Sequence, residues 1–390
     1  MAEVSAEKAV SYILIEAIKR RASDIFIEPL EDKLQIRLRI DGLLATFRSF
    51  PLAFHSSVIS RLKVISNLDI SEHRLPQDGR FKLKLPDRDV DFRLSIMPSR
   101  LGEKAVSRVL DKSGLILDIN KLGLDNRSLD LLNKNLLLPY GIILVCGPTG
   151  CGKTTTLYAC LKHIDSIEKN IITVEDPIEY QLHGINQVEA NEEIGFTFAS
   201  VLRSILRQDP NIILVGEIRD SETAEIAMRA ALTGHLVLST LHTTTATGAL
   251  TRLVNMGIEP FLISSSCLLV ASQVLMRLLC SKCKEEYSLP HAVLDEIKKY
   301  GISLGESPIA YRAKGCTICN NTGYFGRIAA MEVLVLTPAI KELIERNAPE
   351  IEIRKKACEE GMSTLRQNVL QMVLKGITSI EEVARLTPPG

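Results

Sequence analysis

Residues 142–154, IILVCGPTGCGKT, run from a continuous apolar stretch into a glycine-rich turn and on to the start of a helix. Residues 147–154 fit the pattern Gly-x-x-x-x-Gly-Lys-Ser/Thr, in which glycines let backbone N–H groups converge on a chain of phosphates. The residues at 154–164, TTTLYACLKHI, predict a helix whose N-terminus adds positive potential. A strand before the loop and a helix after it are the context that the pattern requires, so this stretch predicts a nucleotide site in an α/β sheet.

The loop residues have different expected tasks. Lys153 is expected to reach the terminal phosphates, and the Thr154 hydroxyl is expected to ligate Mg²⁺. Cys151 lies inside the loop, where we expect its thiol to be open to oxidation or alkylation. The predicted nucleotide-binding residues of the loop are Gly147, Pro148, Thr149, Gly150, Cys151, Gly152, Lys153, Thr154 and Thr155.

Two acids follow other short apolar runs. Residues 171–174 lead to Glu175, and residues 212–215 lead through Gly216 to Glu217. Because parallel strands bring their carboxyl ends to one crevice, both acids are predicted to face the phosphates. One would serve on the Mg²⁺ side and the other as general base toward the attacking water. Taken alone, each acid is more often a solvated residue at a strand end, and the neighbouring phosphate loop favours the catalytic interpretation.

The pattern of apolar residues divides the chain. Up to about residue 110, a helix at 6–21 and alternating strands at 34–40, 81–85 and 90–96 predict a small α+β domain. Further along, buried runs alternate with helical stretches, which predicts a parallel α/β sheet. The expected domains are 1–110 (small α+β), 111–120 (linker), 121–279 (ATPase core), 280–325 (tetracysteine subdomain) and 326–390 (helical C-terminal subdomain).

Two pairs of basic residues are further candidates. Arg203 and Arg207 lie four residues apart on one helix face, where they could clamp phosphates or pair with acids, and the spacing does not separate the two. His235 and His242 flank the run LVLST. A lone histidine near a strand is more often structural, but two near a phosphate crevice suit contact with the γ-phosphate.

The cysteines form two spaced pairs. Cys280-x-x-Cys283 and Cys316-x-x-Cys319 are separated by 32 residues, and four thiolates in such pairs suit tetrahedral Zn²⁺. The interval is longer than usual, so four reduced thiols are the alternative.

Charge and composition exclude some functions. The 390 residues contain 47 Lys+Arg and 47 Asp+Glu, so the net charge is zero, whereas a chain built mainly to hold nucleic acid needs a basic surplus. Trp is absent and aromatics are 5%, which disfavours base stacking. The sequence has neither a long uninterrupted apolar stretch nor the order of a signal peptide, so we expect a cytoplasmic protein.

Taken together, these motifs resemble the secretion ATPases of bacterial type II secretion and type IV pilus assembly, over nearly the whole chain. The matching segments are GPTGCGKTTTLYA, ITVEDPIEY, LRSILRQDPNIILVGEIRD, ALTGHLVLSTLHT, RASDIFIEP, RIDGLL, SNLDISEHRLPQDGR and DFRLSIMPSRLGEK. The resemblance implies an α/β fold: a RecA-like P-loop ATPase domain with a parallel sheet, preceded by a small α+β (PAS-like) domain and carrying a zinc subdomain and a helical C-terminal tail.

The resemblance also assigns roles to residues. It makes Glu175 and Glu217 the catalytic acids and places His235 and His242 in a histidine box. Arg93 and Arg108 match arginines that family members bring toward the nucleotide, although Arg93 could instead pair with the nearby acids Asp87, Asp89 or Asp91. The other implied sites are Arg203 and Arg207 at the nucleotide or a subunit interface, and zinc at Cys280, Cys283, Cys316 and Cys319.

The implied function is an ATP-driven motor that uses ATP, Mg²⁺ and Zn²⁺. Its implied partners are copies of itself in a hexameric ring and platform proteins of the inner membrane, through which a cytoplasmic protein would associate peripherally, with no direct nucleic-acid contact. Two alternatives stay open: a RecA-like nucleic-acid motor and a non-catalytic, nucleotide-dependent scaffold.

The sequence departs from the family pattern at four places. Phe26 stands where His is usual, Asn211 where Asp is usual, Thr244-Thr245 where Asn-Asp is usual, and Val274 where Arg is common. None of these removes a catalytic group. The chain also begins at what resembles the second N-terminal domain, so the domain that usually docks on a membrane partner is expected to be absent.

Overall fold

The computed structural model describes residues 5–111, 114, 116–304 and 309–387. The chain forms two compact units, Met1–Leu115 and Ile116–Gly390. Residues 112, 113 and 115 of the expected linker lie outside the described residues.

The first unit is a six-stranded antiparallel sheet with two helices. The strand order is β3-β2-β1-β6-β5-β4. The helices are α1 (Ala6–Lys19) and α2 (His55–Ile65), and the strands are β1 (Ala22–Pro29), β2 (Lys33–Ile40), β3 (Leu43–Pro51), β4 (Gln77–Lys84), β5 (Asp89–Ser99) and β6 (Gly102–Leu110).

Strict alternation of apolar and polar residues explains this sheet. In β2, Leu34, Ile36 and Leu38 are fully buried, and they join the apolar residues of α1 and α2 in one core. Their polar neighbours point to the opposite face. One face of the sheet is therefore core, and the other is polar and carries Arg93 and Arg108, the arginines that the family resemblance singled out.

The second unit is built on a seven-stranded sheet of order β15-β12-β7-β11-β10-β8-β9. Its strands are β7 (Gly141–Cys146), β8 (Ile171–Glu175), β9 (Asn186–Glu189), β10 (Ile212–Val215), β11 (Leu236–Leu241), β12 (Cys267–Leu279) and β15 (Tyr324–Val335). Its first six helices are α3 (Asn126–Leu136), α4 (Lys153–Ile164), α5 (Phe198–Ile205), α6 (Ser221–Leu232), α7 (Ala246–Asn255) and α8 (Pro260–Ser266).

All neighbours in this sheet are parallel except β15, which pairs antiparallel with β12. The central strands β7, β8, β10 and β11 are buried along their whole length, because helices cover both faces. These strands are therefore mostly apolar, and their buried hydroxyl groups, those of Thr173, Ser239 and Thr240, have hydrogen-bond partners. The carboxyl ends of the parallel strands meet at one edge of the sheet.

The last part of the chain contains a small sheet and a group of helices. Strands β13 (Glu285–Ser288) and β14 (Ile309–Arg312) pair antiparallel, with α9 (His291–Lys299) between them in sequence. The remaining helices, α10–α13, are Pro338–Glu345, Glu350–Glu359, Leu365–Leu374 and Ile380–Leu386.

One expected boundary is wrong. The division between residues 325 and 326 falls inside β15, which pairs with β12 from Tyr324 to Val335 and so belongs to the main sheet. The helical C-terminal part of the chain begins only after β15 has ended at Val335. Sequence order misled the prediction, because the cysteine segment is inserted between two strands that are neighbours in the sheet.

None of the helices in the described parts of the chain is both long and apolar enough to cross a bilayer.

Candidate functional site

The phosphate loop follows β7 and ends where α4 begins at Lys153. A side chain at Gly147 would place its Cβ 2.3 Å from the carbonyl oxygen of Gln273, so the close approach requires glycine. Gly152, which caps α4, has a φ of 90°, in the left-handed region. The Lys153 Nζ donates to the carbonyl oxygens of Gly147 at 2.9 Å and Pro148 at 3.2 Å. The cation is therefore held within the loop, at the N-terminus of the helix.

A buried glutamine on β12 supports this loop. Gln273 is fully buried, and its Nε2 donates to the carbonyl oxygen of Cys151 at 2.6 Å. Its Oε1 accepts from the Thr156 hydroxyl at 2.8 Å. The side chain thus joins the loop to the first turn of α4, and both of its polar ends have partners, as burial requires.

The structure corrects the expectation that the Cys151 thiol is open to oxidation or alkylation. Cys151 is 4% exposed, and burial raises the pKa of its thiol. Because the thiolate is the reactive form, the buried thiol is protected.

Glu217 lies just beyond β10 and is held by two side chains, Arg219 and His242. Its Oε1 accepts from Arg219 at 2.5 Å, and its Oε2 lies 3.0 Å from the Nε2 of His242, which follows β11. Burial raises the pKa of Glu217, but the hydrogen bonds and charges of Arg219 and His242 outweigh it, and the net shift is downward. Glu217 is therefore a fixed carboxylate at the carboxyl edge of the sheet.

Glu175 ends β8 at the same edge, but its side chain is buried. It is 3% exposed, and it accepts hydrogen bonds from Tyr158 at 2.5 Å, Thr173 at 2.6 Å and Gln187 at 3.1 Å. Burial and the Glu175 charge raise the pKa of Tyr158, which stays a hydrogen-bond donor. Both acids thus follow strand ends at the carboxyl edge, but the Glu175 carboxylate is enclosed by Tyr158, Thr173 and Gln187 rather than turned out toward the phosphate loop.

The structure does not bring His235 to the loop of its own chain. It precedes β11, which runs parallel to β7 with Leu236 opposite Gly141 and Leu241 opposite Cys146. At about 3.3 Å per residue, the six residues from His235 to Leu241 put His235 about 20 Å from the carboxyl edge. Its Nδ1 lies 2.9 Å from the carbonyl oxygen of Ala230, which is a structural contact.

Arg203 and Arg207 lie on the surface near the end of α5. Arg203 donates to Glu222 of α6 at 2.5 Å, and both side chains are about half exposed. Arg207 donates to the Arg203 carbonyl oxygen at 2.9 Å and to the Ser204 hydroxyl at 3.2 Å. Of the two roles left open by spacing, the structure gives Arg203 the acid partner.

The polar face of the first unit carries a row of charged side chains in register. Arg80, Arg93 and Arg108 stand directly opposite one another across β4, β5 and β6, and Asp24 and Arg39 continue the row. Asp24 contacts Arg108 at 3.4 Å and Arg39 at 3.3 Å. The three consecutive arginines line a cleft of about 510 Å³. Like charges directly opposite one another repel, and the acids Asp24 and Asp78 also line this cleft.

The acids that offered Arg93 an alternative also lie near other cations. Asp87 pairs with Arg88, whereas Asp89 and Asp91 lie 3.9 and 3.6 Å from Lys82.

The four cysteines Cys280, Cys283, Cys316 and Cys319 form a cluster in which all Sγ atoms lie within 4.8 Å of one another. Sulfur–sulfur distances of 3.9, 3.8 and 3.7 Å match the roughly 3.8 Å edge of a tetrahedron with Zn–S bonds of about 2.3 Å. The backbone N–H groups of Cys316 and Gly323 point at the Cys319 sulfur. Burial raises the pKa of Cys319, but these donors outweigh it and lower it to about 6. The geometry is compatible with zinc.

Comparison with known proteins agrees with this arrangement. The family described as type II/IV secretion system protein matches residues 2–385. The chain belongs to this family. It is 50% identical over 380 residues to the type II secretion system ATPase E of Vibrio cholerae, covering 97% of this chain and 75% of that protein. It is 48% identical over 387 residues to the type IV pilus assembly ATPase PilB of Myxococcus xanthus, covering 98% and 68%.

A solved structure agrees as well. The pilus retraction motor PilT with bound ADP is 28% identical to this chain, with a TM-score of 0.63 over 97% of this chain and 96% of that one. The α/β ATPase fold and the helical C-terminal region inferred from sequence are confirmed, and the named relatives make the chain an ATPase.

The sequence analysis missed three residues of this site: Arg219, Tyr158 and Gln273. Two of them carried a signal. Gln273 is a polar residue within a mostly apolar run, and Arg219 follows Glu217 at a spacing that lets the two side chains meet.

The departures from the family pattern are accommodated locally. The guanidinium groups of Arg37 and Arg39 lie over the ring of Phe26, at 5.8 and 5.3 Å from its centroid. Phe26 therefore makes cation–π contacts with two arginines on the polar face of the sheet. The Asn211 Oδ1 accepts from the Asn170 backbone N–H, a bond that a carboxylate could also make. Val274 is buried in the core beside the C-terminal helices.

Proposed function

We propose that this chain is a motor that hydrolyses ATP to ADP and phosphate and drives type II protein secretion or type IV pilus assembly. The observation that carries the proposal is the Glu217 carboxylate, held by Arg219 and His242 at the sheet edge where the phosphate loop begins. The secretion and pilus roles come from the named relatives.

In the proposed site, the loop residues 147–155 bind the phosphates, and Lys153 neutralises their charge. Thr154 ligates the Mg²⁺ that this family of ATPases uses. Because a general base works best with a pKa near the working pH, the lowered pKa of Glu217 suits a fixed anion that holds the Mg²⁺ shell or orients water. Glu175 then supports the edge through Tyr158 and Thr173.

The proposal is tested by steady phosphate release from purified protein supplied with Mg²⁺ and ATP. Many turnovers per site are expected. Binding of ATP without turnover would favour the scaffold, and stimulation by single-stranded DNA would favour the nucleic-acid motor.

We further propose that hydrolysis requires a ring, with Arg93 and Arg108 supplying cations to a bound nucleotide. Lys153 is the one basic residue of the loop sequence, and phosphoryl transfer commonly uses an additional arginine. The cationic cleft on the first unit offers that charge. Arg93→Ala or Arg108→Ala should lower turnover without changing thermal unfolding, and specific activity should rise with protein concentration.

Arg61→Ala is the matched control, because Arg61 makes an exposed ion pair with Glu7 on another part of the same unit. It should leave turnover unchanged, since such pairs contribute about 0–1 kcal/mol. Concentration-independent activity of a proven monomer, with both cleft variants fully active, would reject the ring.

We propose that the cysteine cluster holds one structural Zn²⁺ per chain. Protein purified without chelator should contain one equivalent of zinc that survives dialysis. Cys283→Ser should lower the zinc content and the thermal stability of the 280–325 segment more than it lowers nucleotide affinity, since the cluster and the phosphate loop are separate sites.

Cys358→Ser serves as the control, because this exposed thiol lies outside the cluster. It should keep both zinc and stability. Metal-free protein of full stability would refute the zinc site.

The remaining expectations concern location and partners. We propose a cytoplasmic protein that associates with the inner membrane through platform proteins and makes no direct contact with nucleic acid. Arg203, exposed near the end of α5, and Arg207, exposed just beyond that helix, are available to a neighbouring subunit of the ring.

A further inference from the structure

The segment that carries His242 is fixed by contacts from outside its own strand and helix. It links β11 to α7 and includes Thr243, Thr244 and Thr245. The Ser272 hydroxyl of β12 donates to the Thr244 carbonyl oxygen at 3.0 Å. The Cys146 thiol, at the end of β7, lies 3.6 Å from the Thr245 carbonyl oxygen. The backbone just beyond His242 is therefore held by contacts from two strands, β12 and β7.

Two carboxylates from the C-terminal part of the chain complete this fixation. Glu332 of β15 is 2% exposed, and its Oε1 accepts from the Ala246 backbone N–H at 2.9 Å. Its Oε2 accepts from the Leu365 N–H at 3.2 Å. Ala246 and Leu365 are the first residues of α7 and α12, so one buried carboxylate joins the N-termini of two helices.

Glu350, the first residue of α11, holds the same segment through side chains. Its Oε1 accepts from the hydroxyl of Thr245 at 2.9 Å and from that of Thr247 at 2.8 Å. The Thr245 hydroxyl also accepts from the Gly248 N–H at 3.0 Å, so Thr245 both caps α7 and donates to Glu350. A hydroxyl can do both, whereas a carboxylate could only cap.

We propose that Glu350, together with Glu332, is a positioning residue for ATP hydrolysis. The pair fixes the start of α7, and this holds the His242 ring against the Glu217 carboxylate at 3.0 Å. A displacement of α11 or β15 would therefore change the position of His242 and, with it, the position of the Glu217 carboxylate. This inference rests on the proposed ATPase function, because Glu217 must act in hydrolysis for its placement to affect turnover.

The test replaces Thr245 with Asp. Aspartate is as good an N-cap as threonine, so α7 keeps its cap, but a second carboxylate now stands where the hydroxyl met Glu350. Turnover should fall by about tenfold or more, which is an ordinary coupling for directly contacting groups, while the KM for ATP changes by less than about twofold. Thr245→Ser, which keeps the hydroxyl, should behave like the parent protein.

Rescue separates positioning from general damage. In T245D/E350Q the repulsion is gone, and the amide introduced at position 350 can donate to the new carboxylate, so turnover should return to within about threefold of the parent value. Glu359→Gln is the control on the same helix, because Glu359 is exposed and far along α11 from the contact. Normal turnover of T245D, or failure of E350Q to rescue it, would overturn the proposal.

A second measurement does not depend on catalysis. In histidine-labelled protein, the His242 ring resonance, assigned by its loss in His242→Gln, should shift in T245D and return in T245D/E350Q. If the parent protein showed no turnover, the proposed ATPase function would fail. The shift of the His242 resonance and its reversal would still support the fixation of His242 through the contact of Thr245 with Glu350. If T245D left the His242 resonance unchanged, Glu350 would not position His242, and this conclusion would not depend on the measured turnover.

Discussion

Replacing Lys153 with Ala should abolish measurable ATP hydrolysis, a loss of at least about 10²-fold. The Nζ of Lys153 already lies inside the loop, bonded to the carbonyl oxygens of Gly147 and Pro148. It is therefore organised to meet the charge that develops on the terminal phosphates, at no cost of rearranging solvent. The measurement is phosphate release, with ATP affinity determined in parallel.

Lys162→Ala is the matched control for this variant. Lys162 lies on the same helix, is exposed, and pairs with Asp165 at 2.8 Å. Its loss should leave turnover unchanged. Near-normal turnover of Lys153→Ala with an unchanged unfolding curve would show that the phosphate loop is not the site of hydrolysis.

Replacing Glu217 with Gln should lower the rate of ATP hydrolysis by about 10²–10⁴-fold, while the affinity for ATP is kept. Gln keeps the size of the side chain but removes the charge that Arg219 and His242 hold in place. Because those partners lower the pKa of Glu217, the lost group is a carboxylate at neutral pH rather than a carboxylic acid. Single-turnover kinetics and nucleotide affinity should be compared in one preparation.

Glu225→Gln provides the comparison, since Glu225 makes an exposed ion pair with Arg229 within α6. This variant should keep full turnover. If Glu217→Gln instead lost ATP binding together with stability, Glu217 would be a binding or folding residue.

The sequence alone predicted the elements that depend on local pattern. The loop at 147–154 is recognised because its glycines, lysine and threonine are each required by phosphate binding at a set spacing. The buried runs at 142–146 and 212–215 predicted central parallel strands, because a strand covered on both faces must be apolar throughout. The cysteine pairs predicted a cluster, because CxxC spacing brings thiols to one point.

Long-range pairing decided what the sequence could not. The separation of His235 from the phosphate loop follows from strand register, which joins Leu236 to Gly141 across the sheet. The place of β15 beside β12 depends on a partner more than forty residues away in sequence, across the inserted cysteine segment. Neither fact leaves a trace in composition or periodicity, since both depend on which strands are neighbours.

The difference is clearest for the two acids. Their positions at strand ends were readable from sequence, because Glu175 and Glu217 each follow a buried run. Their environments were not: Glu175 is enclosed by Tyr158 and Gln187, and Glu217 is held by Arg219 and His242. The sequence determined which chemical groups reach the edge of the sheet, whereas the tertiary structure decided their burial and charge partners, because both depend on contacts between residues distant along the chain.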